Sequence, residues 1–300
     1  MITQKNYAAI DIGSNAVRLL VSTITEQKGR EETDFKKTSL VRVPIRLGED
    51  VFERSMISEK NIERMVDTMQ AFNLLMKSHG IEKYKACATS AMREAKNGVE
   101  VVEKIKAKTG VEIEIIDGSH EAAIIAMTDL HSIIDKNKVY LYVDVGGGST
   151  EFTLFAHGKE IASKSFKIGT VRLLNDMVGK ELWEEAERWV KLSCAFYDRI
   201  ELIGSGGNIN NIFKSSGKAH GKPLSYFYLS SYYDELQTYS YEERIYKLGQ
   251  NQDRADVIIP ACRIYLNAMK WSRAKNIYVP KIGLTDGIIK SIYNSERDKN

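Results

Sequence analysis

The chain has 300 residues, 43% hydrophobic and 28% charged, which fits a soluble globular protein of about two domains. Its 43 basic and 40 acidic side chains leave a net charge of +3, too small for a protein that coats duplex nucleic acid. No apolar run approaches the roughly 20 residues of a membrane span, and Cys87, Cys194 and Cys262 stand too far apart for a CxxC zinc motif or a disulfide framework. The polar start, residues 1–6, carries no secretory pattern, so a reducing, cytoplasmic setting is expected.

In chain order, residues 7–12 form a short apolar run that stops at Gly13-Ser14-Asn15, the pattern of a buried strand entering a tight turn. Residues 17–25 and 40–45 alternate apolar and polar side chains and are predicted strands. Ser58 then caps a predicted helix with an apolar stripe of Ile62, Met65, Val66, Met69, Phe72 and Met76, ended by Gly80. Residues 84–88 and 111–116 are predicted strands. Thr89-Ser90 caps a helix after the first, and Gly118-Ser119 introduces a helix over 121–134 after the second.

The opening then returns. Residues 139–145 are an apolar run ending in Gly146-Gly147-Gly148-Ser149, followed by strands over 151–155 and 161–168 with a turn at His157-Gly158. A helix over 181–200, a strand over 201–203 and a helix opened by Gly204-Ser205-Gly206-Gly207 come next. A helix over 256–274 tolerates Pro260 as a kink or a first-turn residue. A strand over 276–279 and a helix over 287–293 close the chain. Tyr226 to Tyr246 is rich in tyrosine without a fixed period, which reads as half-buried packing rather than base stacking.

Alternating elements imply an α/β architecture. Strand, turn beginning Asp-x-Gly, strand, strand occurs twice, with Asp11 and Asp144 separated by 133 residues. Internal duplication on that scale predicts two lobes of like topology facing one another. Only four prolines and no Ser/Gly-rich tract are present, so packed structure rather than a tether joins them.

Two glycine turns carry the chemistry. In Asp11-Ile12-Gly13-Ser14-Asn15, glycine permits unusual backbone angles and leaves amides unshielded, so the turn can wrap a phosphate while the acid holds a cation or its water. A plain hairpin turn is the competing reading. Asp144-Val145-Gly146-Gly147-Gly148-Ser149-Thr150-Glu151 is more specific: consecutive glycines weaken a sheet, and a row of bare amides makes an anion nest. Its two carboxylates stand where a hydrated Mg²⁺ can sit.

These paired loops, with Gly204–Gly207 behind them, resemble the acetate and sugar kinase/heat-shock chaperone/actin superfamily. The strings AIDIGSNAVRLLV, ATSAMREA, IIDGSHEA, VDVGGGSTEF, GSGGNI and GLTDGII, occurring in that order, resemble the exopolyphosphatase/guanosine pentaphosphate phosphatase family within it. The resemblance implies two ribonuclease-H-like (actin-like) lobes with an interdomain cleft: residues 1–125 plus about 284–300 in one, and 126–283 in the other. It implies a phosphohydrolase that releases terminal phosphate from inorganic polyphosphate, guanosine pentaphosphate or both, with Mg²⁺ or another divalent cation, and a homodimer.

By the same resemblance Glu121 positions or deprotonates the attacking water, and Asp11, Asp144 and Glu151 are the acids around the metal and that water. Gly13, Ser14, Asn15, Gly146, Gly147, Gly148 and Ser149 form the phosphate cradle, with Gly206 and Gly207 behind it. Arg93 lies near the phosphates, and Arg18 and Arg254 contact substrate further along. On position alone, Glu121 in a first helical turn could instead complement the helix dipole. His120 departs from the family pattern, in which many relatives carry another acid there. Two other readings stay open: an ATP-using kinase or chaperone-like ATPase, and a non-catalytic sensor of guanosine alarmones.

Overall fold

The computed structural model describes residues 2–29, 33–128 and 135–298. The chain divides into two compact units, Met1–Thr128 with Gly283–Asn300 and Asp129–Ile282.

In the first unit, β1 (Ile2–Ile12) pairs antiparallel with β2 (Val17–Gln27), which pairs with β3 (Asp34–Val43). Helices α1 (Leu47–Arg54) and α2 (Glu59–Ser78) lead to β4 (Lys83–Ala88). Beyond it come α3 (Ser90–Glu94), α4 (Gly98–Thr109), β5 (Ile113–Ile115) and α5 (Gly118–Ala126). The sheet order is β3-β2-β1-β4-β5, with β4 and β5 parallel to β1. Residues 7–12 of β1 are buried, because a central strand covered on both faces can carry a continuous apolar run. The Ser58 side chain accepts the Asn61 amide at the start of α2, and Gly80 (φ +60°) turns the chain out of it.

The second unit repeats this plan. β6 (Val139–Val145), β7 (Thr150–Ala156) and β8 (Lys159–Phe166) form an antiparallel meander. His157 (φ 53°) and Gly158 (φ 72°) join β7 to β8, both in the left-handed region that suits a two-residue hairpin. Next come α6 (Thr170–Leu174), α7 (Lys180–Cys194), β9 (Ile200–Ser205), α8 (Gly207–Ser215) and β10 (Leu224–Ser225). Then follow α9 (Tyr226–Thr238), α10 (Tyr241–Tyr246), α11 (Gln252–Ala255), α12 (Ile258–Ser272) and β11 (Asn276–Tyr278). Read from its far edge, the sheet is β8-β7-β6-β9-β11-β10, so its first five strands match the order of the first unit. The duplication expected from the sequence is present in both order and strand direction.

The core of the second unit gathers around α12, where Ile258, Ala261, Cys262, Ile264, Tyr265, Ala268 and Met269 are buried. Pro260 occupies the first turn, where its missing amide hydrogen leaves no bond broken. The last helix, α13 (Leu284–Arg297), belongs to the first unit and packs on β1, β4 and α5. Lys37 pairs with Asp286 at 2.7 Å, and Tyr293 meets Phe35 edge-on at 5.3 Å.

Several boundaries differ from expectation. β3 begins at Asp34, because an exposed edge strand needs no apolar alternation to declare it. β5 covers only 113–115, and α7 stops at Cys194, leaving Phe196 exposed. The helix expected over 121–134 starts earlier, at Gly118, and residues 129–134 lie outside the described ones. The tyrosine-rich stretch is α9 and α10, with Tyr228 stacked on the buried Tyr232.

Candidate phosphate-binding site

In the first unit, the Gly13 amide donates to Ala16 O at 3.1 Å and closes the turn between β1 and β2. Gly48 N donates to Ser14 O at 2.7 Å, and Arg46 N to Asn15 O at 3.0 Å. The start of α1 thus holds two turn carbonyls, while the Ser14 amide donates to no acceptor among the described residues. A Cβ on Gly48 would lie 2.8 Å from the Phe52 ring and 3.1 Å from Ser14 Cβ, so only glycine allows this approach.

Asp11 is buried at the end of β1 and sits opposite Arg18 in the β1–β2 register. Arg18 Nη1 donates to Asp11 Oδ2 at 2.6 Å, so the structure gives this arginine an acid partner within its own hairpin. Across the parallel pair, Asp11 faces Cys87, whose thiol is pushed up to about 12, first by burial and then by Glu114, Asp11 and Glu121. Asp11 and Glu121 therefore share one electrostatic neighbourhood.

Glu121 stands in the first turn of α5, half-buried, with its Oε2 atom shielded from solvent. Asp117 caps that helix: its Oδ1 accepts the His120 amide at 2.7 Å and the Ser119 hydroxyl at 2.6 Å. His120 turns toward Glu114, with 3.6 Å between Nδ1 and Oε1. Arg93 Nη1 donates to Ile116 O at 2.6 Å and so braces the chain just before the helix that carries Glu121.

In the second unit the same turn recurs at the same offset, Gly146 N donating to Ser149 O at 2.9 Å. Asp144 faces Glu151 across β6–β7, as Asp11 faces Arg18, and such directly opposed residues share one face of the sheet. Glu151 is buried, and its Oε1 accepts the hydroxyls of Ser149 at 2.6 Å and Ser165 at 2.8 Å. Ser149 therefore spends its hydroxyl on Glu151 and offers its amide.

The start of α6 holds the turn from one side. Thr170 N donates to Gly146 O at 3.0 Å, Val171 N to Gly147 O at 2.9 Å, and Arg172 Nε to Gly148 O at 2.8 Å. The amides of Gly147, Gly148 and Ser149 donate to no acceptor among the described residues. A Cβ on Gly169 would overlap the carbonyl groups of Gly147 and Gly148.

Gly206 approaches Asp144 from β9. At φ +114° it adopts a conformation that favours glycine, and a Cβ there would lie 2.8 Å from Val145 O and 3.5 Å from Asp144 Oδ1. The buried hydroxyls of Tyr142 and Tyr265 are held far above the usual tyrosine range, by burial first and then by the Asp144 charge. Gly207 opens α8 directly behind this point, and Arg254 is half-buried on α11, a separate element.

One expectation needs correction. None of Gly13, Gly146, Gly147 or Gly148 has a positive φ, so unusual backbone angles are not why glycine stands there. The missing Cβ is what matters: one on Gly146 would lie 3.2 Å from Ser149 O, and one on Gly13 3.3 Å from Ala16 O. Sequence reasoning also passed over Gly48, Gly169 and Arg172. The signal was available, since a glycine follows the third strand of each repeat within five residues.

Among the described residues no group of three or more His, Cys, Asp or Glu side chains gathers to hold a metal. The Asp144–Glu151 pair still fits Mg²⁺, which takes one or two carboxylates and keeps several waters. Asp11 is already matched by Arg18. No helix among the described residues is long and apolar enough to cross a membrane.

Comparison with known proteins agrees with this geometry. The Ppx/GppA phosphatase family matches residues 24–296. A bifunctional 3-dehydroquinate synthase/phosphatase of Fusobacterium nucleatum is 35% identical over 61% of this chain and 29% of its own length. Exopolyphosphatase 1 of Mycobacterium tuberculosis is 27% identical over 56% of this chain and 47% of its own. A guanosine-5'-triphosphate,3'-diphosphate pyrophosphatase of Photobacterium profundum is 30% identical over 66% of this chain and 38% of its own. The matches thus span about half the length of these relatives or less. Among solved structures, the Ppx/GppA family member of Aquifex aeolicus superposes with a TM-score of 0.76 at 25% identity, covering 98% of this chain and 99% of that one. An exopolyphosphatase from Cytophaga hutchinsonii shares the fold with a TM-score of 0.83 at 20% identity, covering 97% and 98%. Two α/β units with matching strand order, a glycine turn beside an acid in each, and a match across nearly the whole chain together establish that it belongs to the Ppx/GppA phosphatase family.

Proposed function

We propose that the chain hydrolyses the terminal phosphoanhydride bond of inorganic polyphosphate, of guanosine pentaphosphate, or of both. The observation that carries this reading is the repeated turn whose carbonyls are held from behind, leaving bare amides beside a strand-end acid. The names of the Mycobacterium and Photobacterium relatives support the two substrate classes.

Phosphoryl transfer to water needs charge neutralisation and an aligned nucleophile, because its transition state is loose. The amides of Gly147, Gly148 and Ser149 in one unit and of Ser14 in the other donate to phosphoryl oxygens. Glu121 accepts the proton of the attacking water as oxygen bonds to the terminal phosphorus. The bridging P–O bond then breaks and orthophosphate leaves. Arg93 keeps the Glu121 helix in place through Ile116 O. Asp144 and Glu151 would hold Mg²⁺, which when bound supplies positive charge to the phosphate chain.

A phosphate-release panel tests the reading, run with and without Mg²⁺ on short polyphosphate, long polyphosphate, guanosine pentaphosphate and ATP. Wild type is expected to act on at least one of the first three and faster than on ATP. Glu121→Gln is expected to lower kcat by about 100-fold or more with KM little changed. Preference for ATP, or an unchanged rate in Glu121→Gln, would overturn it.

A further inference from the structure

We infer that Arg172 is a positioning residue for the triple-glycine turn, acting through the Gly148 carbonyl; this rests on the reading of that turn as the phosphate cradle.

A peptide unit at a tight turn can present either its carbonyl or its amide to a ligand. An anion is bound only if the carbonyls point away. In the first unit two backbone amides enforce this, Gly48 N on Ser14 O and Arg46 N on Asn15 O. At the 133-residue offset those carbonyls correspond to Gly147 and Gly148. Gly147 O is again held by a backbone amide, that of Val171, with the Arg172 amide at 3.4 Å as a second donor. Gly148 O is held by the Arg172 side chain, at 2.8 Å from Nε. A guanidinium nitrogen does in one repeat what the Arg46 amide does in the other.

The burial of Arg172 supports the assignment. It is 7% exposed on α6, a five-residue helix beside the turn. Removing a guanidinium from water is unfavourable unless its charge and donors are used. Gly169 permits the approach, since any larger residue there would push α6 off the glycines and carry Arg172 with it. The fixed charge also lies directly behind amides that face an anion, where it adds attraction without touching the ligand.

Two substitutions separate these contributions. Arg172→Gln keeps a donor nitrogen at the side-chain position of Nε but removes the charge. Arg172→Lys keeps the charge but has no donor at that position. Arg172→Met has neither. Steady-state phosphate release from short polyphosphate by the full chain, alongside thermal midpoints, gives the readout. Arg172→Gln is expected to retain kcat within about threefold while KM rises about tenfold. Arg172→Lys is expected to lose about tenfold or more in kcat with a smaller change in KM, because an unanchored Gly148 misplaces its donors. Arg172→Met is expected to lose in both. A purely structural role would move the thermal midpoint and leave the split between kcat and KM unaltered in the folded fraction, which overturns the proposal. Equal kcat for Arg172→Gln and Arg172→Lys also overturns it, and that comparison survives if Arg172→Met fails to fold. If wild type releases no phosphate from any substrate, the hydrolase reading fails on its own. Calorimetric binding of tripolyphosphate then decides the positioning role: about tenfold weaker binding by Arg172→Met supports it, and equal binding ends it.

Discussion

Replacing Gly287 by alanine gives two rival expectations of opposite sign. The residue lies inside α13 without a positive φ, and an interior glycine weakens a helix by roughly 0.5–1 kcal/mol relative to alanine. Helix propensity alone therefore predicts a more stable protein. The structure predicts the reverse. A Cβ on Gly287 would lie 2.7 Å from the Ile124 carbonyl carbon and 2.8 Å from Ile124 Cγ2, and closer still to the Ile124 carbonyl oxygen. Ile124 belongs to α5, one turn beyond Glu121, and most of the conflict is with backbone that no rotamer change relieves. Overpacking of this kind costs about 1–3 kcal/mol. Set against the propensity gain, the net is a loss of about 1–2 kcal/mol, or a fall in midpoint of about 3–8 °C. The two helices must part by roughly an ångström, which carries Glu121 with α5, and a shift of that size in a catalytic group costs about 100-fold in rate. Thermal unfolding and phosphate release by Gly287→Ala measure both effects. A raised midpoint with unchanged kcat would refute the claim that close contact between α13 and α5 positions Glu121.

Two further expectations concern titration. Asp50 Oδ2 accepts the Ser58 amide at 2.9 Å, the Ser58 hydroxyl at 2.6 Å and the Asn61 amide group at 2.8 Å. Burial opposes ionisation of Asp50, but these bonds and Arg54 outweigh it and hold its pKa below the ordinary 3.8. Its stabilisation is therefore complete above that value and lost as pH falls through the lower folded value. Asp50→Ala is expected to cost about 1–3 kcal/mol in urea at pH 7 and much less near pH 2; a constant difference would contradict this. Cys87 and Cys194 are raised by burial to about 12 and about 11 from 9.0, and Cys262 is raised by burial too. Iodoacetamide at pH 8 is expected to label none of the three in the native chain and all three in urea. Because unfolding lets these thiols ionise near 9, stability is expected to fall as pH rises from there toward 11–12. Stoichiometric labelling of folded protein, or stability flat across that range, would count against the buried placement.

The parts of the fold that could be read from sequence are those where one local cause acts alone. The apolar runs of β1 and β6, the Ser58 cap, the His157-Gly158 hairpin and first-turn Pro260 each follow from burial, capping or backbone conformation at a single place. β3 was legible only at its apolar end, because residues 34–38 lie on an exposed edge. In α1, Leu47, Val51 and Phe52 supply little more than one turn of apolar stripe, and Gly48 argues against a helix. That glycine is required by Ser14 rather than by the helix it occupies. The same division holds at the site. Its acids and glycines announce themselves by type and spacing. The groups that hold Ser14 O, Asn15 O and Gly147 O are backbone amides, which have no residue signature, and Arg172 reads as an ordinary helical arginine until its Nε is placed on Gly148 O.

The two repeats also diverge in an informative way. Turn closure and strand register are preserved at the offset of 133 residues, so Arg18 and Glu151 occupy equivalent places opposite Asp11 and Asp144. Yet their charges are opposite. In the first unit the strand-end acid is neutralised inside its own hairpin at 2.6 Å. In the second, two carboxylates face each other, and like charges so placed favour a cation or a proton between them. Had both repeats kept the same chemistry, each would carry the same pair. On the proposed reading the divergence divides the labour: the Asp144–Glu151 pair is where a divalent cation would be held, while the first unit, with its acid already matched, supplies Glu121 to take the proton from water. A cation requirement that survived loss of both Asp144 and Glu151 but vanished on replacing Asp11 would invert that division.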